Sequence, residues 1–523
     1  MNYADLFRAT LPETALEIAA LLVLIVDLGV VRKAALQTRV AVASLVGIAG
    51  CIVAIWGVYA AGKAGFSING EVLLSAGSIA GVAQVGILVL TAVTLLLLVG
   101  EEFTKHVGEY VAVVLMAAAG GLIISAAQDL LVIFIGLELL SLGLYILTAF
   151  AKKSGKSAEA AMKYYLFGGM SAAFLLLGFS YFYGLSGTTS LLGIQNAIAK
   201  SGPTPLLYVA WILVVAGLGF KIAAVPFHLW APDTYEGAPA PAAAFIASVS
   251  KVASFTLLIS FSFSWLRVNL PTGGDEYALL ANAQACFDTW HGLGTILLVV
   301  AVASMVVGNL AAIAQVSVRR LLAYSAIAHA GYILLGIGVQ ASYDGPGYIG
   351  ISATTAADAA LRSANAVLYY ILTYGLTIIG AFSVVSVVER ATGSDRLDSF
   401  LGLHKRNPLL AAVLLVLFLS LAGIPPLVGF WAKFNLFAAV LGVSAGPVPF
   451  ALVALAIAFS VVSLYYYLQV LKRAYVMPAI DDTPINVHPV TLAVHLLITV
   501  AVVVLGCFPE LLLRWIESFY PVV

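Results

Sequence analysis

Fourteen apolar stretches of about twenty residues follow one another along the chain, at about 11–31, 40–61, 79–99, 110–127, 130–150, 162–184, 206–226, 240–265, 293–314, 320–340, 365–388, 408–440, 448–471 and 490–513. A helix of about 20 residues crosses the roughly 30 Å hydrocarbon core of a bilayer. Inside that core every backbone N–H and C=O must be satisfied within the protein, which helices achieve locally. The pattern therefore predicts an all-α membrane protein of about 14 transmembrane helices. With 62% hydrophobic and 10% charged residues, the composition excludes a soluble domain.

The first stretch opens with Leu11-Pro12-Glu13, ends at Asp27, and has only Arg8 before it and no small-residue cleavage site. It reads as a retained helix, and no signal peptide is expected. Placing the loop of Arg32, Lys33 and Arg39 in the cytoplasm collects fifteen of the 25 lysines and arginines on that side, against six, Lys63 and Arg267 among them, on the other. By the positive-inside rule both termini then lie outside. Cys51, Cys286 and Cys507 are isolated, with no C-x-x-C or His/Cys ligand spacing, so neither a metal site nor an iron–sulfur cluster is expected in this chain. No phosphate-binding glycine motif occurs, so no nucleotide cofactor is expected, and no nucleic-acid partner.

The remaining four lysines, Lys163, Lys221, Lys251 and Lys433, fall inside hydrophobic stretches together with Glu138. An ionisable group in hydrocarbon costs about 2.5 kcal/mol or more, so such residues face a wet interior and mark an ion or proton path. Five stretches from 110 to 265 and five from 293 to 472 are separated by the polar run 267–291. Transporters commonly carry repeats in inverted topology, and an odd number of helices per copy turns the second copy upside down. Leu130-Leu131 precedes Glu138 as Leu321-Leu322 precedes His329, so Glu138 and His329 are expected to be counterparts. The fourth stretch of each block is interrupted, by Gly219 and Pro226 in the first and by Pro425-Pro426 in the second, with a lysine near each break. Broken helices expose backbone groups where a membrane protein handles ions. The chain thus reads as one transmembrane domain over 1–523. It divides into an N-terminal three-helix segment (1–109), a first inverted repeat (110–265), a second (293–472) and a C-terminal helix (490–513).

Gly136-Leu137-Glu138-Leu139-Leu140-Ser141, the run Phe220-Lys221 through Val225-Pro226-Phe227-His228 to Asp233, Tyr235-Glu236-Gly237-Ala238-Pro239, Arg320-Leu321-Leu322 through His329 to Tyr332, and Leu419 through Pro425-Pro426 together resemble the antiporter-like membrane subunits of complex I, the proton-pumping NADH:quinone oxidoreductase. The resemblance covers about 110–472 and, more weakly, the flanking helices. Three features resemble the N-type subunits rather than L or M: the start Leu11-Pro12-Glu13 to Asp27, Lys433 where M-type chains carry glutamate, and a chain that ends shortly after the fourteenth stretch. Arg319-Arg320 departs from the lysine of many relatives, and Trp431 is bulkier than expected; neither changes a titrating position.

The resemblance implies that Glu138 pairs with Lys221, that Lys251 is a central relay, that His329 and waters bridge the blocks, and that Lys433 is the terminal proton carrier. A lysine in a partly wet apolar cavity, tuned by a nearby carboxylate, can switch between holding and releasing a proton. The resemblance also implies K-type and M-type membrane neighbours, lipid contact and hydrophilic electron-transfer subunits, with NADH or another donor, FMN, iron–sulfur clusters and quinone in the partner subunits. The expected site is the inner membrane of a bacterial cell. A cation/proton antiporter subunit and a quinone-binding redox subunit are the alternatives. Lys163 reads either as a channel-modulating charge or as an interface anchor, and His228 stays open between a modulator and a hydrogen-bonded interior group. Asp233 and Glu236 are expected in turn structure of a Pro-rich loop, and Tyr465-Tyr466-Tyr467 to pack a helix rather than bind quinone.

Overall fold

A computed structural model describes the chain except residues 1–2, 63–64, 69–70, 76, 102, 203, 264–275, 344–352, 444–445, 480, 482 and 521–523. Lys63 and Arg267, used above for the charge balance, lie outside the described residues, as does part of the 267–291 run.

The apolar stretches become helices: α1 (Leu11–Ile25, continued by a π turn over Val26–Val30), α2 (Leu36–Ala61), α3 (Ser78–Leu98), α4 (Val107–Ala126), α5 (Leu130–Thr148), α6 (Gly155–Ser186), α7 (Pro205–Ile222), α8 (Trp230–Gly237), α9 (Ala240–Phe263), α10 (Glu276–Ile313), α11 (Val318–Tyr343), α12 (Ala353–Thr392), α13 (Pro408–Ala422), α14 (Val428–Val443), α15 (Pro447–Tyr475) and α16 (Pro489–Cys507). Twelve are long and apolar enough to cross a membrane. The α1 helix with its π turn, and the broken pair α13/α14, complete the fourteen stretches of the sequence. One element departs from the all-helical expectation. An antiparallel hairpin of Gly65–Ile68 and Glu71–Ser75 links α2 to α3. Its sequence signal is Asn69-Gly70 between two β-prone runs, the dipeptide that favours two-residue hairpin turns.

Helix starts are capped where the sequence allows it. Asp129 accepts from the N–H groups of Leu131 and Val132, Thr204 from Leu207, and Asn407 from Leu410, each satisfying a donor that the first turn leaves orphaned. The interior is built around α9, α11 and α12, whose spans are almost wholly enclosed, whereas α6, α15 and α16 turn most of their surface outward. Sequence hydropathy alone does not separate these classes, because lipid-facing and core-facing helices are equally apolar.

The two blocks share local geometry in a definite register. Asp129 bridges Ser190 just before α5 as Ser317 bridges Arg396 just before α11, and 317 follows 129 by 188 residues. In the same register α4 approaches α5, and α10 approaches α11: a Cβ at Gly120 would lie 2.6 Å from the Leu140 nitrogen, and one at Gly308 would lie 2.6 Å from that of Ala328. This register pairs Glu138 with Ala326 and His329 with Ser141. The expected Glu138–His329 correspondence is therefore displaced by about one helical turn, because matching Leu-Leu pairs in sequence does not fix where the helices cross.

Both breaks also correspond, 200 residues apart. The α7 helix ends in a left-handed cap at Ala223 (φ 58°), and α13 ends in one at Gly423 (φ 89°). In each, the next residue returns to the last turn: the Ala224 N–H donates to Gly219 O at 2.8 Å, and the Ile424 N–H to Leu419 O at 3.0 Å. This Schellman-like closure satisfies carbonyls that would otherwise be orphaned. In the second break the chain then folds back so tightly that a Cβ at Gly429 would fall 1.9 Å from the Ser420 carbonyl oxygen. Gly429→Ala is therefore expected to lower stability by about 1–3 kcal/mol or more, the cost of overpacking against an immovable neighbour. Gly442→Ala on the same helix, with open space around it, should be neutral or mildly stabilising. Thermal unfolding of the two purified variants in detergent checks the contrast.

Candidate functional site

Three of the four lysines predicted inside the membrane are buried: Lys221 at 5%, Lys251 at 3% and Lys433 at 5% exposure. Each aims its ammonium at oxygen, and no ion pair satisfies any of them among the described residues. Lys221, in the last turn of α7, donates to the Ser141 hydroxyl on α5, which in turn donates to Leu137 O. The faces of Tyr145 and Phe220 lie 5.8 and 5.4 Å from its nitrogen, close enough for cation–π attraction. Glu138, half-buried, stands one turn from Ser141 and within electrostatic reach of Lys221. The expected Glu138–Lys221 pair is thus an electrostatic neighbourhood rather than a direct salt bridge, with the Lys221 ammonium bonded to Ser141.

Lys251, from the enclosed α9, donates to Ala326 O on α11 at 2.5 Å and lies 5.6 Å over the ring of Tyr374. Tyr374 also packs against His329, with ring centroids 4.8 Å apart. His329 Nδ1 meets the Tyr370 hydroxyl at 2.8 Å and its Nε2 the Tyr467 hydroxyl at 3.5 Å, while Tyr467 also bonds Ser325. A small cavity beside His329 is lined by Tyr370, Thr373, Tyr374, Thr377 and Ser420.

Lys433, on α14, donates to Ala422 O at 2.9 Å and to Ser460 Oγ at 2.8 Å. Ala422 is the last residue of α13, so the ammonium sits at the negative end of a helix dipole and satisfies one of its orphan carbonyls. The Tyr332 ring lies 5.4 Å from the same nitrogen. Asn309 joins Tyr332 at 3.2 Å to Tyr466 at 3.1 Å, and Tyr466 packs against Tyr467 with centroids 4.7 Å apart. Tyrosine hydroxyls, Asn309 and His329 therefore fill the space between Lys251 and Lys433. Hydroxyls, imidazole and amines in such proximity can accept and give protons; carboxylates are absent from this stretch of described contacts.

Sequence reading missed Ser141, Tyr332, Tyr370, Tyr374, Asn309 and Ser460. The available signal was the spacing of Tyr370, Thr373, Tyr374 and Thr377, one polar stripe along an otherwise apolar helix. Tyr465 is exposed, as a packing role allows, but Tyr466 and Tyr467 bring buried hydroxyls into the network. No group of three His, Cys, Asp or Glu residues that could hold a metal ion occurs among the described residues.

The broken segment of the first block is fixed from two directions. The Val225 N–H donates to Ser304 on α10 at 2.9 Å, and the Trp230 indole donates to Phe220 O at 2.9 Å. Gly219 lies in the last turn of α7 and Pro226 in the break that follows it, and Pro425 and Pro426 lie between α13 and α14. His228, half-buried, keeps an Nδ1 without a hydrogen-bond partner, and partial burial pulls its pKa below the ordinary histidine value. Asp233 and Glu236 depart from expectation: they stand on α8, not in a turn. Two carboxylates one turn apart are held there by cations from both blocks. Asp233 meets Lys163 at 2.7 Å and Arg320 at 2.6 Å, and Glu236 meets Arg320 at 3.0 Å and Lys156 at 3.2 Å. Lys163, which also meets Glu159 at 2.7 Å, is thus an ion-pairing residue at one end of the bundle and does not join the buried row.

The chain matches the family described as NADH:quinone oxidoreductase/Mrp antiporter, TM, over residues 127–271 and 277–460. It is 47% identical over 528 residues, 99% of each chain, to NADH-quinone oxidoreductase subunit N 2 of Acidobacterium capsulatum. It is 39% identical to subunit N 1 of Roseiflexus castenholzii, over 81% of this chain and 76% of that one. A solved chain of respiratory complex I from Thermus thermophilus with bound aureothin superposes with a TM-score of 0.72 at 30% identity, covering 96% of this chain and 98% of that one.

The α8 carboxylates give a pH signature. Partial burial pushes the Asp233 carboxyl up, but hydrogen bonds and charge from Lys163 and Arg320 outweigh it and hold the group below its ordinary value of 3.8. A depressed carboxylate contributes stability above its unfolded pKa and loses it as pH falls through the lower folded value. Asp233→Asn should therefore be less stable than the parent at neutral pH, and the gap should close as pH falls below about 4. Thermal midpoints of both proteins in detergent, taken from pH 7 to pH 3, check this; a gap independent of pH would remove the ion pairs as its cause.

Proposed function

The chain belongs to the NADH:quinone oxidoreductase/Mrp antiporter transmembrane family, in its subunit N branch, and we propose that it moves protons along the buried row Lys221, Lys251, His329 and Lys433, with Glu138 tuning the first of them. It is an integral membrane, proton-translocating subunit of an NADH:quinone oxidoreductase. The observation that carries the route is the environment of the lysines. Each ammonium is buried yet bonded to neutral oxygen, and the groups between Lys251 and Lys433 are hydroxyls, an amide and an imidazole. Neutral acceptors solvate a charged lysine without fixing its charge as a close carboxylate would.

In this reading the two five-helix blocks are inverted copies, protons enter from the cytoplasm, and both termini face the other side of a bacterial inner membrane. The chain itself is non-redox. Moving one charge against 100 mV costs about 2.3 kcal/mol, so quinone reduction elsewhere supplies the drive. NADH or another donor, FMN, iron–sulfur clusters and quinone then belong to hydrophilic and membrane partners, with K-type and M-type subunits as lateral neighbours and lipid around the rest.

Three variants test the row in the assembled complex. Lys251→Ala should reduce quinone-reductase turnover and proton pumping several-fold, and Lys251→Arg should fail nearly as badly, because a guanidinium scarcely deprotonates. Full rescue by arginine would make Lys251 a scaffold cation. Glu138→Gln should leave subunit content intact and lower pumping strongly, since Lys221 loses the charge that tunes it; proton uptake by reconstituted vesicles, normalised to subunit content, reads both.

A further inference from the structure

A second set of polar groups lies away from the lysine row, between α12 and α16. At the end of the bundle that carries Lys156 and Arg320, Arg390 on α12 meets Glu101, just beyond α3, at 3.5 Å, and donates to Gly100 O. The Arg390 side chain is 39% exposed and that of Glu101 is 9% exposed. Ser386, one turn along α12, donates to the same Glu101 carboxylate at 2.8 Å. One further turn inward, Ser383 meets Nε2 of His495 on α16 at 2.7 Å. His495 is fully buried. Burial pushes the Glu101 carboxyl up, against the pull of Arg390 and Ser386.

On the α16 side, His488 Nδ1, Thr491 Oγ1 and His495 Nδ1 are buried polar atoms without a hydrogen-bond partner. Their spacing of three and four residues puts them on one helix face. That face meets the Gly100–Glu101 segment, since a Cβ on Gly100 would collide with the Thr491 hydroxyl. Buried polar atoms are nearly always paired, with ordered water completing the count where protein does not. Three in a row, two of them imidazoles, mark a strip that water would complete. Along α12 from Ser383, Gly380 packs against Leu417 and Ile498, and Thr377 and Thr373 beyond it line the cavity beside His329.

We propose that this strip is a proton-uptake lane, with Glu101 as its entry carboxylate and His495 as its buried carrier, delivering protons toward the His329 cavity. It rests on the proton-translocating reading above. In the carrying step, Nδ1 of neutral His495 takes a proton from hydrated Glu101 by way of water at Thr491. The imidazolium then releases the proton on Nε2 toward Ser383, leaving the Nδ1–H tautomer, which exchanges back to the Nε2–H form through water before the next proton, so one proton enters and one leaves in each cycle.

His495→Gln tests the lane, because glutamine can still hydrogen-bond Ser383 but cannot carry a proton. In the assembled complex it should lower proton uptake and coupled quinone reduction at least threefold at normal subunit content. Free imidazole should restore part of the loss in His495→Ala. Normal pumping in His495→Gln overturns the lane, as does a loss in His495→Ala that imidazole leaves unchanged. If His495→Gln does not assemble, Ser383→Ala, which removes one hydroxyl, carries the same threefold expectation, and normal pumping there overturns the proposal. Lys251→Ala measured alongside separates the two readings: loss in Lys251→Ala with normal His495→Gln removes only the lane, whereas normal pumping in both removes the lysine-row reading as well.

Discussion

An ammonium group taken out of water must be given oxygen, and the interior of this protein is arranged to give it oxygen without formal charge. Lys251 finds the carbonyl of Ala326, Lys433 the terminal carbonyl of α13 and a serine, and Lys221 the hydroxyl of Ser141. A carboxylate in contact would repay desolvation more fully, but it would also hold the proton in place. The enclosure of α9, the break after Ala422 and the tyrosines gathered around His329 all follow from placing neutral oxygen at these depths.

Similar frames carry different chemistry in the two blocks. The breaks coincide in their caps and in their returning N–H bonds, yet the lysine precedes the break in the first block and follows it in the second. Lys221 therefore reaches across to α5, while Lys433 reaches back to the carbonyl that its own break exposes. Likewise the 188-residue register sets His329 where the first block has Ser141, so a titratable ring replaces a hydroxyl at one crossing of helices. A fold can be repeated closely while the groups that handle charge are redistributed on it.

Much of this was legible in the sequence. Stretch lengths gave fourteen passes because membrane thickness imposes them, and prolines beside glycines marked both breaks because proline removes a donor and clashes with the preceding turn. The buried lysines stood out because charge is rare in such stretches. The partners of those lysines were less legible. Ser141, Asn309 and the inward tyrosines are ordinary residues in a helix until its facing is known, and hydropathy does not report facing where lipid and core are equally apolar. The role of Asp233 and Glu236 was hidden for a different reason: their cations are 70 to 87 residues away in sequence, and a Pro-flanked acidic segment looks like a turn.

The helix α8 hangs by its two carboxylates from α6 on one side and α11 on the other. These pairs are partly open to solvent, unlike the lysine contacts, so dissolved ions reach them; at about 0.15 M the screening distance is only about 8 Å. Among the attachments that tie the first broken segment to the second block, this is thus the one most responsive to ionic strength. One of the fastenings between the two halves of the protein is one that salt can loosen, while the groups between them stay shielded from it.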